Sequence, residues 1–269
     1  MALSFGKQAF SRNDFTVPTL MQGEHDELAR TSAINFARQL ADRWQRLLGS
    51  DLLGLYLIGS LAHAGFSRRY SDIDIALITS VGLTPQALDH LRGEAVALSA
   101  DWGTKVSVFW ADRHFSLGRF PPLDRIDYLD YAIALIERER LRPPRPTLEE
   151  IRTYLRGAPF LTWADRARTF AAAQVLEPKD QKAYLRTLLY PGRFCYSWIT
   201  GLMGSNDDAV AFLAERRPHG LDVSLIERAL QCRRAACDPD ALFLERTCLP
   251  SQIEACATLS VGERSPSAR

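Results

Sequence analysis

The sequence predicts an α/β half followed by an all-helical half. Three observations carry this. Short apolar runs that read as strands fall between residues 52 and 110, with a helical stretch among them. From about Asp124 onward, apolar residues recur persistently at helical spacing. A chain of 269 residues, 46% hydrophobic and 24% charged, is an ordinary globular composition with room for two cores.

Residues 1–23 show no clean period, include Pro18 and read as a lead-in segment. From Glu24 to Leu48 the set Leu28, Ala33, Ile34, Phe36, Ala37, Leu40, Ala41, Trp44, Leu47 and Leu48 recurs at helical spacing, and Gly49-Ser50 stops that helix. LLGLYLIGS (52–60) reads as a buried strand ending in a Gly-Ser turn. DIDIALIT (72–79) is a second strand, with Asp72, Asp74 and Ala76 on one face and Ile73, Ile75 and Leu77 on the other. Residues 85–100 look helical, with Pro85 in the first turn. TKVSVFW (104–110) alternates as a third strand, Lys105, Ser107 and Phe109 sharing a face. Helices are then expected over 126–140, 147–156, 162–174, 179–189, 193–203, 206–216 and 223–236, with LRPPRP (141–146) as a loop. The tail 260–269, rich in Ser, Arg and Pro, reads as disordered. The expected division is a lead-in 1–23, an α/β domain 24–120, a helical domain 121–259 and the tail.

Formal charge is +1, from 33 basic and 32 acidic side chains, so nothing global draws the chain to nucleic acid or an anionic membrane. No apolar run approaches the roughly 20 residues that span a bilayer. The first fifteen residues lack the apolar segment of a secretory signal, which leaves the cytoplasm as the expected location. The cysteines (Cys195, Cys232, Cys237, Cys248, Cys256) are odd in number and form no Cys-x-x-Cys, so they read as scattered reduced thiols.

The chemistry lies in LYLIGSLAHAGFSRRYSDIDIALI (55–78). Asp72 and Asp74, at i and i+2 of a strand, project to the same face and set two carboxylates side by side. Such a pair is unfavourable without a cation, and Mg²⁺ takes one or two carboxylates together with phosphate oxygens and water. The Gly59-Ser60 turn complements it: glycine admits a phosphate to the backbone, and the Gly59 N–H and Ser60 hydroxyl can donate to it. Asp-x-Asp alone is common; strand, Gly-Ser, spacer, Ser71-Asp72-Ile73-Asp74 and strand together point to phosphoryl or nucleotidyl transfer. Asp124, Asp127 and Asp130 line one face of the first expected helix of the second half, either as an acidic wall for a cationic substrate or as a solvated face. His63 has no identifiable partner, and Trp102, Trp110, Trp163 and Trp198 read as core or domain-interface residues.

Over residues 24–115 this passage resembles the nucleotidyltransferase superfamily, of the DNA polymerase beta-like fold. The resemblance implies an α/β nucleotidyltransferase domain with a small mixed sheet, followed here by an all-α helical bundle. It also implies that Gly59 and Ser60 contact a triphosphate and that Asp72 and Asp74 bind magnesium. Residues 185–218 are similar to the helical domain of the aminoglycoside (3'')(9)-adenylyltransferases, through Leu188-Leu189, Arg193, Tyr196-Ser197, Thr200-Gly201 and Glu215-Arg216-Arg217-Pro218. That likeness implies ATP as the nucleotide, a small-molecule acceptor such as an aminoglycoside, and Arg193 reaching the ATP phosphates. Arg68, Ser71 and Lys105 complete the residues expected around the nucleotide.

Two positions depart from the pattern. Lys105 stands where the family has a third carboxylate, the base for the acceptor hydroxyl, and Ser107, next on that face, is not acidic either. Asn206 replaces a phosphate-touching lysine, a loss that Arg68, Arg69, Lys182 or Arg186 can compensate. A relative that binds nucleotide without transferring it, or one that modifies protein or RNA, therefore stands beside the adenylyltransferase reading.

Overall fold

The computed structural model describes residues 19–63 and 65–262. Helix α1 (Thr19–Leu48) leads into strand β1 (Leu52–Ile58). Strand β2 (Ile73–Thr79), helices α2 (Pro85–Leu98) and α3 (Ala100–Gly103), and strands β3 (Val106–Asp112) and β4 (Gly118–Arg119) follow. Helix α4 (Pro122–Tyr131) is followed by strand β5 (Ile133–Glu137), which completes a five-stranded mixed sheet of order β4-β3-β2-β1-β5. β2 and β3 are parallel and the other pairs antiparallel. The parallel pair requires the crossover that α2 and α3 supply. Thr84 starts α2 by accepting the Ala87 N–H at 3.1 Å, with Pro85 in the first turn.

The sheet alternates as expected. Leu55, Leu57, Ile73, Ile75, Leu77 and Val108 pack with α1 and α2 in one core. Tyr56, Ile58, Ala76, Ile78 and Ala111 form a smaller core with Tyr128 of α4 on the opposite face. Asp72 and Asp74, in phase with Ala76 and Ile78, therefore face α4 and the helical half.

The helical half comprises α5 (Leu148–Arg156), α6 (Ala158–Ala172), α7 (Gln181–Thr200), α8 (Asn206–Arg216), α9 (Val223–Arg234), α10 (Asp240–Phe243) and α11 (Leu249–Gly262). Capping boxes at Thr147/Glu150 and Ser205/Asp208 start α5 and α8. Gly201, in the left-handed conformation, ends α7. The core is centred on α7, where Phe194 stacks on Trp198 with ring centroids 5.6 Å apart.

The structure corrects the expected elements in three places. The helix expected over 126–140 is α4 followed by β5, a strand lying beyond residue 120. β1 is buried along its whole length, and pairing Leu55 with Ile136 and Tyr56 with Ala134 satisfies its second backbone edge. The two helices expected over 179–189 and 193–203 are one, because α7 runs through Pro191. Interior proline costs about 3 kcal/mol, and burial of Tyr184, Leu185, Leu188, Leu189, Phe194 and Trp198 outweighs it. α1 starts at Thr19 and α11 reaches Gly262, inside the expected lead-in and tail. The remainder of those two segments, 1–18 and 263–269, lies outside the described residues.

Candidate nucleotide site

The segment between Gly65 and Asp72 fastens the sheet to the helical half. Tyr70 packs in the helical core and its hydroxyl donates to the Cys237 carbonyl. Arg69 donates to the Ala236 carbonyl at 2.9 Å, to Gln181 Oε1 at 2.6 Å and to Asp238. Ser67 Oγ donates to the Arg233 carbonyl at 3.2 Å. Asp72 and Asp74, which follow directly, are thereby set against α7.

The Gly59-Ser60 turn lies beside them. Asp74 pairs with Ile58 across the β1–β2 ladder and with Ser107 across β2–β3. Gly59 has φ +67°, and a Cβ built there would collide with the Asp74 carboxylate, so the close approach requires glycine. The Gly59 N–H, which the sequence assigns to a phosphate, donates to Asp127 Oδ2 at 2.8 Å. Ser71 is buried and takes the Ser67 N–H (2.9 Å) and Arg233 Nη2 (2.8 Å) on its Oγ, which lies 3.1 Å from Ser60 Oγ. With both lone pairs of Ser71 engaged, its own proton goes to Ser60, and the Ser60 hydroxyl proton is left for a ligand. Ser71 thus acts through Ser60.

Four carboxylates interact electrostatically here: Asp72 and Asp74 from the sheet, Asp124 and Asp127 from α4. Burial, then Asp72, pushes Asp74 up to about 7. Burial, then Asp74, pushes Asp124 up to about 7 as well. Asp127 is 2% exposed, with Oδ1 lying 3.5 Å from His63 Nε2. Asp130 pairs with Arg145. Of the acidic face seen in the sequence, Asp127 and Asp130 are therefore engaged by protein partners, and Asp124 stays with Asp74.

Cations line the opposite wall. Lys182 and Arg186 of α7 both reach Asp72, Arg186 Nη1 standing 3.4 Å from Oδ2. Arg193, half-buried, lies within the fields of Asp124, Asp127 and Asp74, and its Nη2 contacts Met203 Sδ at 3.5 Å. Arg233 is buried against Ser71, and burial, then Arg193, lowers its pKa to about 10, so it stays charged at pH 7.

Two expected residues make no hydrogen bond or ion pair to these carboxylates among the described residues. Lys105 Nζ donates to the Arg68 carbonyl at 2.8 Å and lies over the Trp102 ring at 5.1 Å. Arg68 extends toward Asp101 at 3.9 Å. Sequence reasoning underrated Lys182, Arg186 and Arg233. Residues 182, 186 and 193 fall within about 40° of one another around a helix, a signal hidden once α7 is divided at Pro191.

No group of three or more His, Cys, Asp or Glu that could hold a metal occurs among the described residues. Asp72 and Asp74 nevertheless fit a divalent cation that completes its shell with phosphate and water. Asp72 already gathers two cationic side chains, and burial, then the Asp72 charge, raises Asp74 to about 7.

No family model matches the sequence, and no curated protein matches it. Among solved structures, the chain is similar to spectinomycin adenyltransferase AAD(9) from Enterococcus faecialis, crystallised with ATP and spectinomycin. The TM-score is 0.59 at 14% identity, over 83% of this chain and 99% of that one. The chain therefore shares the fold of that protein, a mixed-sheet half joined to a helical half. No described helix is long and apolar enough to cross a membrane.

Proposed function

We propose that this chain is a nucleotidyltransferase that moves AMP from ATP to a hydroxyl of a small molecule. The observation that carries the reading is the juxtaposition of Asp72, Asp74 and the Gly59-Ser60 turn, facing Arg193 across the cleft of an adenylyltransferase fold. Asp72 and Asp74 would hold magnesium, which when bound supplies charge neutralisation at the phosphates. Ser60, its proton free, donates to the triphosphate, and Arg193 offers a forked guanidinium from the helical side.

The acceptor hydroxyl attacks the α-phosphorus, the bond to the β-phosphate oxygen breaks, and pyrophosphate leaves. The hydroxyl proton needs a base, and the face of β3 beside Asp74 carries none, since Ser107, Phe109 and Ala111 occupy it. We assign that proton to Asp124. Asp72 is engaged by cations, Asp127 by the Gly59 amide and Asp130 by Arg145, whereas Asp124, in the fields of Asp74, Arg193 and Arg119, makes no hydrogen bond or ion pair among the described residues. A carboxyl held near neutrality is suited to exchanging a proton in the cleft.

For the acceptor, the spectinomycin bound to the structural neighbour supports an aminoglycoside-like molecule. Purified protein would be given α-labelled ATP, Mg²⁺ and a panel containing spectinomycin, streptomycin and other hydroxyl-bearing amines. The reading expects label on a small molecule, one pyrophosphate per transfer, and neither with Asp72→Asn/Asp74→Asn. Label on the protein itself or on added RNA would move the acceptor to another class. A second reading, a nucleotide-binding relative without transfer, draws on the missing β3 carboxylate. It expects ATP binding with no label on any acceptor.

A further inference from the structure

Lys182 and Arg186 cross from the helical half to the carboxylate that the proposed function assigns to the metal. Lys182 Nζ donates to Asp72 Oδ1 and Arg186 Nη1 to Oδ2. The side chains of Lys182, Arg186 and Asp72 are 31%, 46% and 26% exposed, so water reaches the bridge and it opens at little cost. Its service to the protein is as a counter-ion, because Asp72 and Asp74, two residues apart in the chain, repel each other.

A divalent cation on Asp72 would take over that service. Lys182 and Arg186 would then lose their acidic partner next to a metal that carries phosphate oxygens. An ammonium and a guanidinium are the side chains suited to such oxygens, one as a point charge and the other as a fork. Arg193 lies on the same stripe of α7, eleven residues beyond Lys182, which corresponds to about 16 Å. The stripe is long enough to follow a triphosphate. It also supplies positive charge that position 206, an asparagine, does not.

We propose that Lys182 and Arg186 form a polyphosphate-binding site held in reserve. In the nucleotide-free protein they neutralise Asp72; when a divalent cation takes Asp72, they move to the triphosphate. This rests on the reading of Asp72 and Asp74 as the metal and nucleotide site. Metal and side-chain cations compete for one carboxylate, whereas side-chain cations and nucleotide cooperate, so removing the side chains shifts the two affinities in opposite directions.

The test measures Mn²⁺ binding without nucleotide, and ATP binding in saturating Mg²⁺, for the wild type, Lys182→Met, Arg186→Met and the double variant. Thermal melting would establish that each variant is folded, and the half-exposed Lys182→Met alone is sufficient. The double variant is expected to bind Mn²⁺ about three- to tenfold more tightly and ATP about tenfold or more weakly. Lys182→Arg is expected to retain both wild-type affinities within about twofold. Affinities that fall together, or Mn²⁺ affinity that does not change, would overturn the exchange alone. A folded wild type that binds neither Mn²⁺ nor ATP would overturn the reading of Asp72 and Asp74 and the exchange with it.

Discussion

On the sheet side of the cleft, Asp74 lies on β2 and Asp72 immediately before that strand, directly behind a segment bonded to the helical half. On the helical side, Lys182, Arg186 and Arg193 are spread along α7, and Arg233 arrives from α9. The Asp72–Asp74 pair is local in sequence and its members repel each other, whereas the basic wall is assembled by tertiary packing and supplies the neutralising charge. A strand places i and i+2 together whatever surrounds it, whereas the α7 cations acquire meaning only when that helix is docked against Asp72.

The comparison makes predictions on each wall. The largest expected effect is on the acidic side. Asp124→Asn keeps the size of the side chain and removes the proposed base, so transfer should fall by about 10²–10⁴-fold. ATP affinity should stay within about twofold, read as a fall in kcat at an unchanged nucleotide Kd. A kcat that survives would remove Asp124 from the chemistry and return the search to another proton acceptor.

A pH effect of intermediate size follows from the same wall. Burial raises Asp74 and Asp124 to about 7, so the folded chain holds their protons more tightly than the unfolded chain does. Their contribution to stability is therefore fully present below about pH 4 and is lost as pH rises toward about 7. Asp112 and Asp238 shift the other way, through hydrogen bonds from Leu117 and Arg69 respectively, so their contributions are lost as pH falls. The quantity to measure is thus the melting-temperature difference between wild type and Asp74→Asn. Without metal the wild type should lose ground to the variant from pH 4 to pH 7. Magnesium should raise the wild-type melting temperature more at pH 7.5 than at pH 5.5. A pH-independent difference would show that Asp74 keeps an ordinary carboxyl.

The smallest effect belongs to Lys105. Its amine is spent on the Arg68 carbonyl, the Trp102 face and Asp101, with no hydrogen bond or ion pair to the four carboxylates among the described residues. Lys105→Met should cost about 1 kcal/mol or less of stability and leave ATP affinity within about twofold. Lys105→Glu should fail to raise transfer, because position 105 does not direct its side chain into the cleft.

The legibility of the molecule follows the same contrast. The apolar run of 52–60, the i, i+2 pattern of 72–79 and the alternation of 104–110 gave three strands and a shared face for Asp72 and Asp74, because successive side chains of a strand point to opposite faces. Strand β5 was not legible: AIALI fits a helix as well as a strand, and the open edge of β1 decided it. Pro191 hid the continuity of α7 and, with it, the alignment of Lys182, Arg186 and Arg193. The engagement of the Gly59 amide by Asp127 joins residues 68 positions apart, which no local pattern could encode. Ser71 was marked for its place in the motif, while its buried bonds to Ser67, Arg233 and Ser60 became visible only in the fold.

The most direct test of the central claim is a calorimetric titration of a non-hydrolysable ATP analogue with Mg²⁺ into the wild type and into Asp72→Asn/Asp74→Asn. A nucleotide site between the two walls predicts one binding event per chain in the wild type, weakened about tenfold or more in the variant and strongly dependent on Mg²⁺. Equal binding by both proteins, with or without Mg²⁺, would contradict it.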